Sequence, residues 1–487
     1  MNTPNILWIC TDQQRWDTLS CQGVPGARTP HIDNLAASGT LFERAYAQSP
    51  ICTPSRASFL TGMYPIAHQV QRNGNRHFPS HLKLISRCFK DAGYYTGLVG
   101  KLHLSAAQHG VEQRPDDGYD EFYWSQHPHP DWREGHDYQD WLTAQGVDPA
   151  VLYAHARGAI YPGVDAALHQ TTWATQRARD FIVNNREKPW FLTINLYDPH
   201  PPFDPPAEYL RRIEADAIQP PIFSAGDIEH QKRFQCVDQQ AKQAVDPMIP
   251  AQTDSGDNVE ASHDRPPASY DIKAIRAAYY AMIALVDDMV GNLTSLLDET
   301  GQRRNTLVIF MSDHGEMLGD HGLLYKGCRF YEGLVHVPLI ISYPERFAMG
   351  RRSAALVELT DLPATLLESA GLPIPAQNQG QSLYRLLAGD GDLHDHKPYV
   401  LSEYFDALNF PDSLGSRGSM YFDGRYKLNV YHDAGEGELF DLANDPSECH
   451  DRWHDPQFQT IKFGLMQRHF AAMMKVSGAG PERIGDF

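Results

Sequence analysis

The chain has 487 residues, 42% hydrophobic and 21% charged, a globular composition with enough length to bury one large core or two. Its formal charge of −19, from 61 acidic against 42 basic side chains, excludes a general attraction to nucleic-acid phosphates or anionic lipid, so an anionic ligand needs a local basic cluster. No run approaches the ~20 apolar residues of a membrane helix.

In chain order, the opening MNTPNILWICTDQQ has neither the basic start nor the long apolar run of a signal peptide, and a cytoplasmic protein is expected. Residues 5–10 read as a buried strand that ends in Asp12 and Gln13. A second strand, 96–99, runs into Lys101 and His103, and a third, 190–196, into Asp198 and His200. Residues 223–268, rich in Asp, Gln, Pro and Ser, read as an inserted surface loop or lid. A long helix over 270–300 follows, opened by Ser269 and closed at Gly301. Strands over 306–311 and 337–342 come next, the first leading into Asp313 and His314, then a helical stretch over 361–373.

The alternation predicts an α/β domain, 1–385, with a central mixed, mostly parallel sheet flanked by helices. The Gly/Asp/His-rich break LLAGDGDLHDHKP marks a boundary. Beyond it YVLSEYF, GSMYFDG, YKLNVYH and GELFDL predict an antiparallel sheet in a smaller C-terminal α+β subdomain, 386–487.

In open α/β sheets the ligand crevice lies beyond the carboxyl ends of the strands. One aspartate after a strand is more often a turn former or helix cap than a ligand; four polar strand ends on one edge are not explained by turns. Asp12, Asp313 and the Gln13 amide oxygen are hard donors suited to Ca²⁺, Mg²⁺ or Mn²⁺, with His314 adding a nitrogen. Zinc fits less well, with one imidazole and no paired thiolate in the set. Arg56, Lys101, His103, His200 and Lys326 are cations or proton carriers, and opposite a metal they would enclose a tetrahedral oxyanion and serve its leaving oxygen.

The nucleophile is the open element. Seven cysteines, an odd number with no CxxC or Cys/His zinc spacing, read mostly as reduced core residues. A plain cysteine thiolate would be trapped as a stable thiosulfate, and serine needs an adjacent base.

The run Cys52-Thr53-Pro54-Ser55-Arg56, continued by Ala57 and Thr61-Gly62, resembles the sulfatase signature CxPSRxxxxTG. Gly93-Tyr94-Tyr95-Thr96 through Val99-Gly100-Lys101-Leu102-His103 resembles the second sulfatase signature, and DDGYDEF, Asp313-His314-Gly315-Glu316 with Lys326, and GELFDLANDPSE stand in family order. The resemblance implies a formylglycine-dependent sulfatase of the alkaline-phosphatase-like superfamily. It implies that Cys52 is oxidised to formylglycine by a formylglycine-generating enzyme and hydrated to a gem-diol. One diol oxygen attacks sulfur; the other then expels sulfate. It further implies that Asp12, Gln13, Asp313, His314 and modified Cys52 hold one divalent metal, Ca²⁺ first. Arg56 and Lys101 would hold the hydrate, His103 would assist its collapse, and His200 and Lys326 would bind sulfate and protonate the leaving oxygen.

Two departures from the common sulfatase pattern, Asp12-Gln13 and Asp313-His314, resemble phosphonate monoester and phosphodiester hydrolases of the same superfamily. The Lys101/His103 pair keeps a sulfate ester ahead, with the phosphonate or phosphate diester reading second. A non-catalytic binder of sulfated glycans comes third, since no nucleophile or ligand is lost. The expected substrate is a small-molecule or carbohydrate sulfate ester, selected by the loops 127–138, 223–268 and 409–417; an oligomer is allowed.

Overall fold

The computed structural model describes residues 3–107, 110–127, 134–154, 159–237, 243–249, 270–406 and 415–478. Its strands are β1 (Asn5–Thr11), β2 (Thr40–Phe42), β3 (Ala45–Tyr46), β4 (Tyr95–Gly100), β5 (Glu121–Trp124), β6 (Trp190–Asn195), β7 (Thr306–Ser312), β8 (His336–Val337), β9 (Leu339–Ser342), β10 (Arg351–Ser353), β11 (Val357–Glu358), β12 (Val400–Phe405), β13 (Arg417–Phe422), β14 (Tyr426–Tyr431) and β15 (Glu436–Asp441). Eight form one sheet in the order β10-β2-β9-β7-β1-β6-β4-β5, and β11-β3-β8 make a small one beside it.

β7, β1, β6, β4 and β5 run parallel, while β9 is antiparallel to β7 and β2. β1, β6 and β7 are buried at every residue, which is why they read as continuous apolar runs. Ile6, Trp8, Phe191, Leu307 and Ile309 enter a core beneath one face, with Phe59 and Leu60 of the helix Cys52–Thr61. Leu7, Ile9, Leu192, Ile194, Val308 and Phe310 enter the core on the other face, with Phe181 and Val286 of the helices Gln170–Asn184 and Ile272–Glu299. Register fixes the site: Cys10 pairs with Asn195, Thr11 with Ser312 and Gly100 with Asn195, so Asp12, Asp313, Lys101 and the turn at 196–200 emerge level on one edge.

Several expectations need correction. The run 337–342 is two strands in two sheets, because Pro338 has no N–H to offer a ladder. The long helix is capped by Asp271, whose side chain accepts the Ala274 N–H at 3.0 Å; Ser269 lies outside the described residues. That helix has the length and composition to cross a membrane, yet 78% of its most apolar window is buried in the fold. The described part of 223–268 is not a plain surface loop: it holds the helix Asp227–Lys232, and Phe234 and Val237 pack against Phe330, Tyr404 and Tyr431. Much of 127–138 and 409–417, and the rest of 223–268, lies outside the described residues.

The antiparallel sheet expected near the C-terminus is β12-β13-β14-β15. Val400, Tyr404, Met420 and Phe422 on one face meet Phe330 and Leu334; Leu401, Leu428 and Leu439 on the other are covered by Leu465, Ala472 and Val476 of the helix Gln459–Val476. Leu383, Leu386 and Leu387 still pack in the core under the large sheet, so the chain leaves that core only after the helix Tyr384–Ala388.

Glu403 of β12 is buried, with one carboxyl oxygen accepting the Ile66 N–H at 2.8 Å and the other without a partner. Burial pushes its pKa from 4.5 up to about 7. The folded state therefore holds a proton that the unfolded chain releases at lower pH, and stability falls as pH rises through that window. Melting curves should show Glu403→Gln losing on the order of 1–3 kcal/mol less stability than the parent between pH 4.5 and 7. Parallel pH profiles for the two proteins would contradict the assignment.

Candidate active site

The helix Cys52–Thr61, buried at all ten residues, begins at the sheet edge where the strand ends emerge. Its sequence explains its placement. Pro54 stands in the first turn, where the missing N–H costs nothing. Ser55 Oγ donates to the Asp313 carbonyl at 2.5 Å and pins the helix to the end of β7. Thr61 Oγ1 donates to the Ala57 carbonyl at 2.6 Å, and Gly62 closes the helix at φ 73°. The Thr53 N–H donates to Asn73 Oδ1 at 3.0 Å.

Arg56, one turn after Cys52, shares its face of the helix. It is fully buried and joins three strand ends: Nε donates to Asp313 Oδ2 at 2.9 Å, Nη2 to Asp12 Oδ2 at 3.3 Å, and Nη1 to the Lys101 carbonyl at 3.0 Å. Lys101 Nζ adds a second cation at 2.5 Å from Asp12 Oδ2. Burial raises the Asp12 pKa, but Lys101, His200, Arg56 and His314 outweigh it and hold the carboxyl well below its ordinary range.

Cys52 Sγ stands 3.1 Å from His314 Nε2 and 3.7 Å from Asp12 Oδ1. Burial and Asp12 push the thiol pKa up; Lys101, Lys326 and His314 outweigh them, and the net displacement is downward. The pocket is thus built to stabilise negative charge at residue 52.

The donor set fits a metal ion. Ligand atoms of Asp12, Cys52, Asp313 and His314 all lie within 4.8 Å of one another. His314 Nδ1 lies 2.9 Å from the Gly315 carbonyl and must donate there, which leaves Nε2 as a lone pair facing Asp12 and Asp313 oxygens at 3.8 and 3.9 Å. Burial lowers the His314 pKa, yet Asp313, Cys52 and Asp12 together raise it, so the site draws positive charge to Nε2, as a proton or a cation. Gln13 comes in by a different route. Its N–H donates to Asp313 Oδ1 at 3.0 Å, and its side chain is held between Glu316, which accepts from Nε2, and Lys326, which donates to Oε1 at 3.1 Å.

Lys326 Nζ also lies 2.6 Å from His200 Nε2. His200 Nδ1 is 2.6 Å from the Pro201 carbonyl and must donate to it, so Nε2 accepts and the proton between the two belongs to Lys326. Burial and the Lys326 ammonium accordingly hold the imidazole neutral, its pKa well below the ordinary value. Burial, Lys101 and Arg56 do the same to His103. Its Nδ1 is buried without a partner, and its backbone is left-handed at φ 56°.

All ten expected residues meet at this edge or join it by hydrogen bond, except that His103 touches the others through no hydrogen bond among the described residues. Asp198, also a strand-end residue, turns away: its carboxylate accepts from Thr171 Oγ1 at 2.5 Å and lies 3.7 Å from His169. Sequence reasoning missed Glu112, which is buried and accepts the N–H groups of His103, Leu104 and Ser105 at 2.5, 2.7 and 3.2 Å and Trp124 Nε1 at 2.9 Å. A lone glutamate in QHGVEQRP carries no motif that could have revealed it.

This α/β sheet, with a buried helix that begins at Cys52 against a cation-compensated carboxylate pair, has the architecture of the alkaline-phosphatase-like hydrolases. The sulfatase family model matches residues 4–372, and the chain belongs to that family, an arylsulfatase-like sulfuric ester hydrolase. A model for the C-terminal region of N-sulphoglucosamine sulphohydrolase matches 319–475. The chain is 29% identical over 464 residues to an arylsulfatase of Clostridium perfringens, covering 91% of this chain and 89% of that one. It is also 29% identical over 478 residues to the uncharacterized sulfatase YidJ of Escherichia coli, covering 95% and 85%. Among solved structures, the phosphonate monoester hydrolase of Agrobacterium radiobacter superposes with a TM-score of 0.80 at 25% identity, covering 97% and 96%.

Arg56→Met would leave two buried carboxylates with half their compensation gone, a loss that costs on the order of 3–5 kcal/mol. Denaturant unfolding should show that loss, and, if a divalent cation occupies the same pair, millimolar Ca²⁺ should partly restore it. A cost under about 1 kcal/mol, indifferent to the ion, would show that the pair is not under electrostatic stress.

Proposed function

We propose that the protein hydrolyses a small-molecule or carbohydrate sulfate ester to the alcohol and sulfate, using residue 52, oxidised from cysteine to formylglycine, and one divalent cation. The observation that carries the reading is the convergence of Cys52 Sγ with His314 Nε2, Asp12 and Asp313 within 4.8 Å, under three flanking cations. Sγ occupies the place that an oxygen of the hydrated aldehyde would take. As formylglycine hydrate, residue 52 supplies a hydroxyl nucleophile whose sulfated form can be released by elimination. A divalent ion, Ca²⁺ in preference to Mg²⁺ or Mn²⁺, would be held by Asp12, Gln13, Asp313, His314 and residue 52 and would supply Lewis acidity at a sulfate oxygen.

The remaining work falls to fixed side chains. Arg56 bonds both Asp12 and Asp313 and holds them adjacent, and Lys101 leans on Asp12 beside residue 52. His103, neutral and with a free Nδ1, is the base available on that side. As the ester S–O bond breaks, charge grows on the leaving oxygen; Lys326 holds the proton to neutralise it, and neutral His200 orients Lys326. The enzyme's maturation then requires a formylglycine-generating partner.

A second reading has a specific basis. His314 in the cluster and Gln13 beside it, bonded to Lys326, with the fold likeness to a phosphonate monoester hydrolase, favour phosphonate or phosphate diesters. Lys101 on Asp12, followed by His103, supports sulfate first.

Peptide mass analysis of active protein should find residue 52 about 18 Da lighter than cysteine, as only the aldehyde turns over. Cys52→Ala should abolish turnover, and Cys52→Ser should stop after one turnover with sulfate attached. Full activity with an intact thiol would end the formylglycine mechanism.

A further inference from the structure

Lys326 lies in a segment with no regular structure, between the short turns Asp320–Gly322 and Glu332–Val335. A lysine has a flexible four-carbon stem, and proton transfer to a leaving oxygen tolerates little misplacement. Something must therefore fix this stretch of backbone. Three residues on, Arg329 is fully buried and reaches the C-terminal antiparallel sheet. Its Nη2 pairs with Glu438 of β15, its Nε donates to Tyr431 of β14 at 2.9 Å, and its Nη1 donates to Gln231. Its guanidinium lies 4.0 Å over the Phe234 ring and 5.1 Å over that of Tyr331. Glu438 is in turn held by Tyr431 at 2.7 Å, Asn429 at 3.2 Å and His230 at 3.0 Å. Lys427 of β14 ties down the same segment by donating to the Phe330 carbonyl at 2.9 Å.

A fully buried ion pair is weak evidence for stability, since apolar residues of equal volume often serve as well. What this one has, and an apolar contact lacks, is direction: several hydrogen bonds at fixed angles on a residue three positions from Lys326. We infer that Arg329 and Glu438 are positioning residues, through which the C-terminal sheet sets the place of the Lys326 ammonium between His200 and Gln13. The inference rests on the reading of Lys326 as the proton donor.

A double-mutant cycle on mature full-length enzyme tests it, with 4-methoxyphenyl sulfate as the ester that needs an acid and 4-nitrophenyl sulfate as the one that leaves unaided. Glu438→Gln should lower kcat on the methoxyphenyl ester by roughly 10- to 100-fold, and on the nitrophenyl ester by less than about threefold, with KM within about twofold. In the Lys326→Ala background the same change should cost less than about twofold on either ester. Equal losses in both backgrounds, or on both esters, would make the pair a fold stabiliser and overturn the inference. If Lys326→Ala alone does not discriminate the esters, the acid reading fails first and the inference falls with it, a result seen in the single variant. Should Glu438→Gln not fold, Tyr431→Phe, which removes only the hydroxyl between Arg329 and Glu438, carries the same cycle with an expected loss of roughly 3- to 10-fold.

Discussion

Two carboxylates that emerge from neighbouring parallel strands cannot be buried together as anions unless positive charge is built between them. Arg56 meets that constraint. From the first turns of a helix that begins at Cys52, it bonds Asp12, Asp313 and the carbonyl of Lys101, and so binds β1, β7 and β4 to the helix in one contact set. Without it the strand-end carboxylates would face one another with Lys101 as the remaining cation on Asp12, and the helix would keep only the Ser55 bond to Asp313 at the end of β7. The spacing of the signature follows: Cys52 and Arg56 one turn apart, Ser55 between them bonded to Asp313, and a glycine where the helix must stop.

The same logic extends outward. Single lone pairs decide who carries each proton. The carbonyls of Gly315 and Pro201 fix the tautomers of His314 and His200, so that one turns its Nε2 toward Cys52 and the two carboxylates and the other presents a proton acceptor to Lys326. Glu112 gathers three successive N–H groups and holds His103, at the end of the Lys101–His103 stretch, in its left-handed form.

The strand runs and the residues after them were legible because central parallel strands are apolar throughout, and because an aspartate, a lysine or a histidine at each end breaks that pattern at the same edge. The antiparallel sheet was legible from short alternating runs and turn residues. What sequence hid depends on contacts with no local period. Pro338 divides an apolar run between two sheets; Phe234 anchors a polar stretch that composition alone reads as a surface loop; Glu112 and the Arg329–Glu438 pair act across 7 to 109 residues of chain. The hydrogen bonds of Arg56 to the carboxylates were likewise unseen, since a basic residue in a signature reads first as a ligand for the anion.

The proposed sulfate and phosphonate readings rest on different neighbours of one cluster: Gln13 and His314 on one side, Lys101 and His103 on the other. Binding geometry at the transferred group separates the two substrates, a singly charged sulfate ester and a phosphonate of similar shape, only by charge placement and by the group on the central atom. The most direct measurement is kcat/KM of the mature enzyme for 4-nitrophenyl sulfate against 4-nitrophenyl phenylphosphonate, which share a leaving group. The account predicts that the sulfate is favoured by at least about tenfold; a larger kcat/KM for the phosphonate would contradict it.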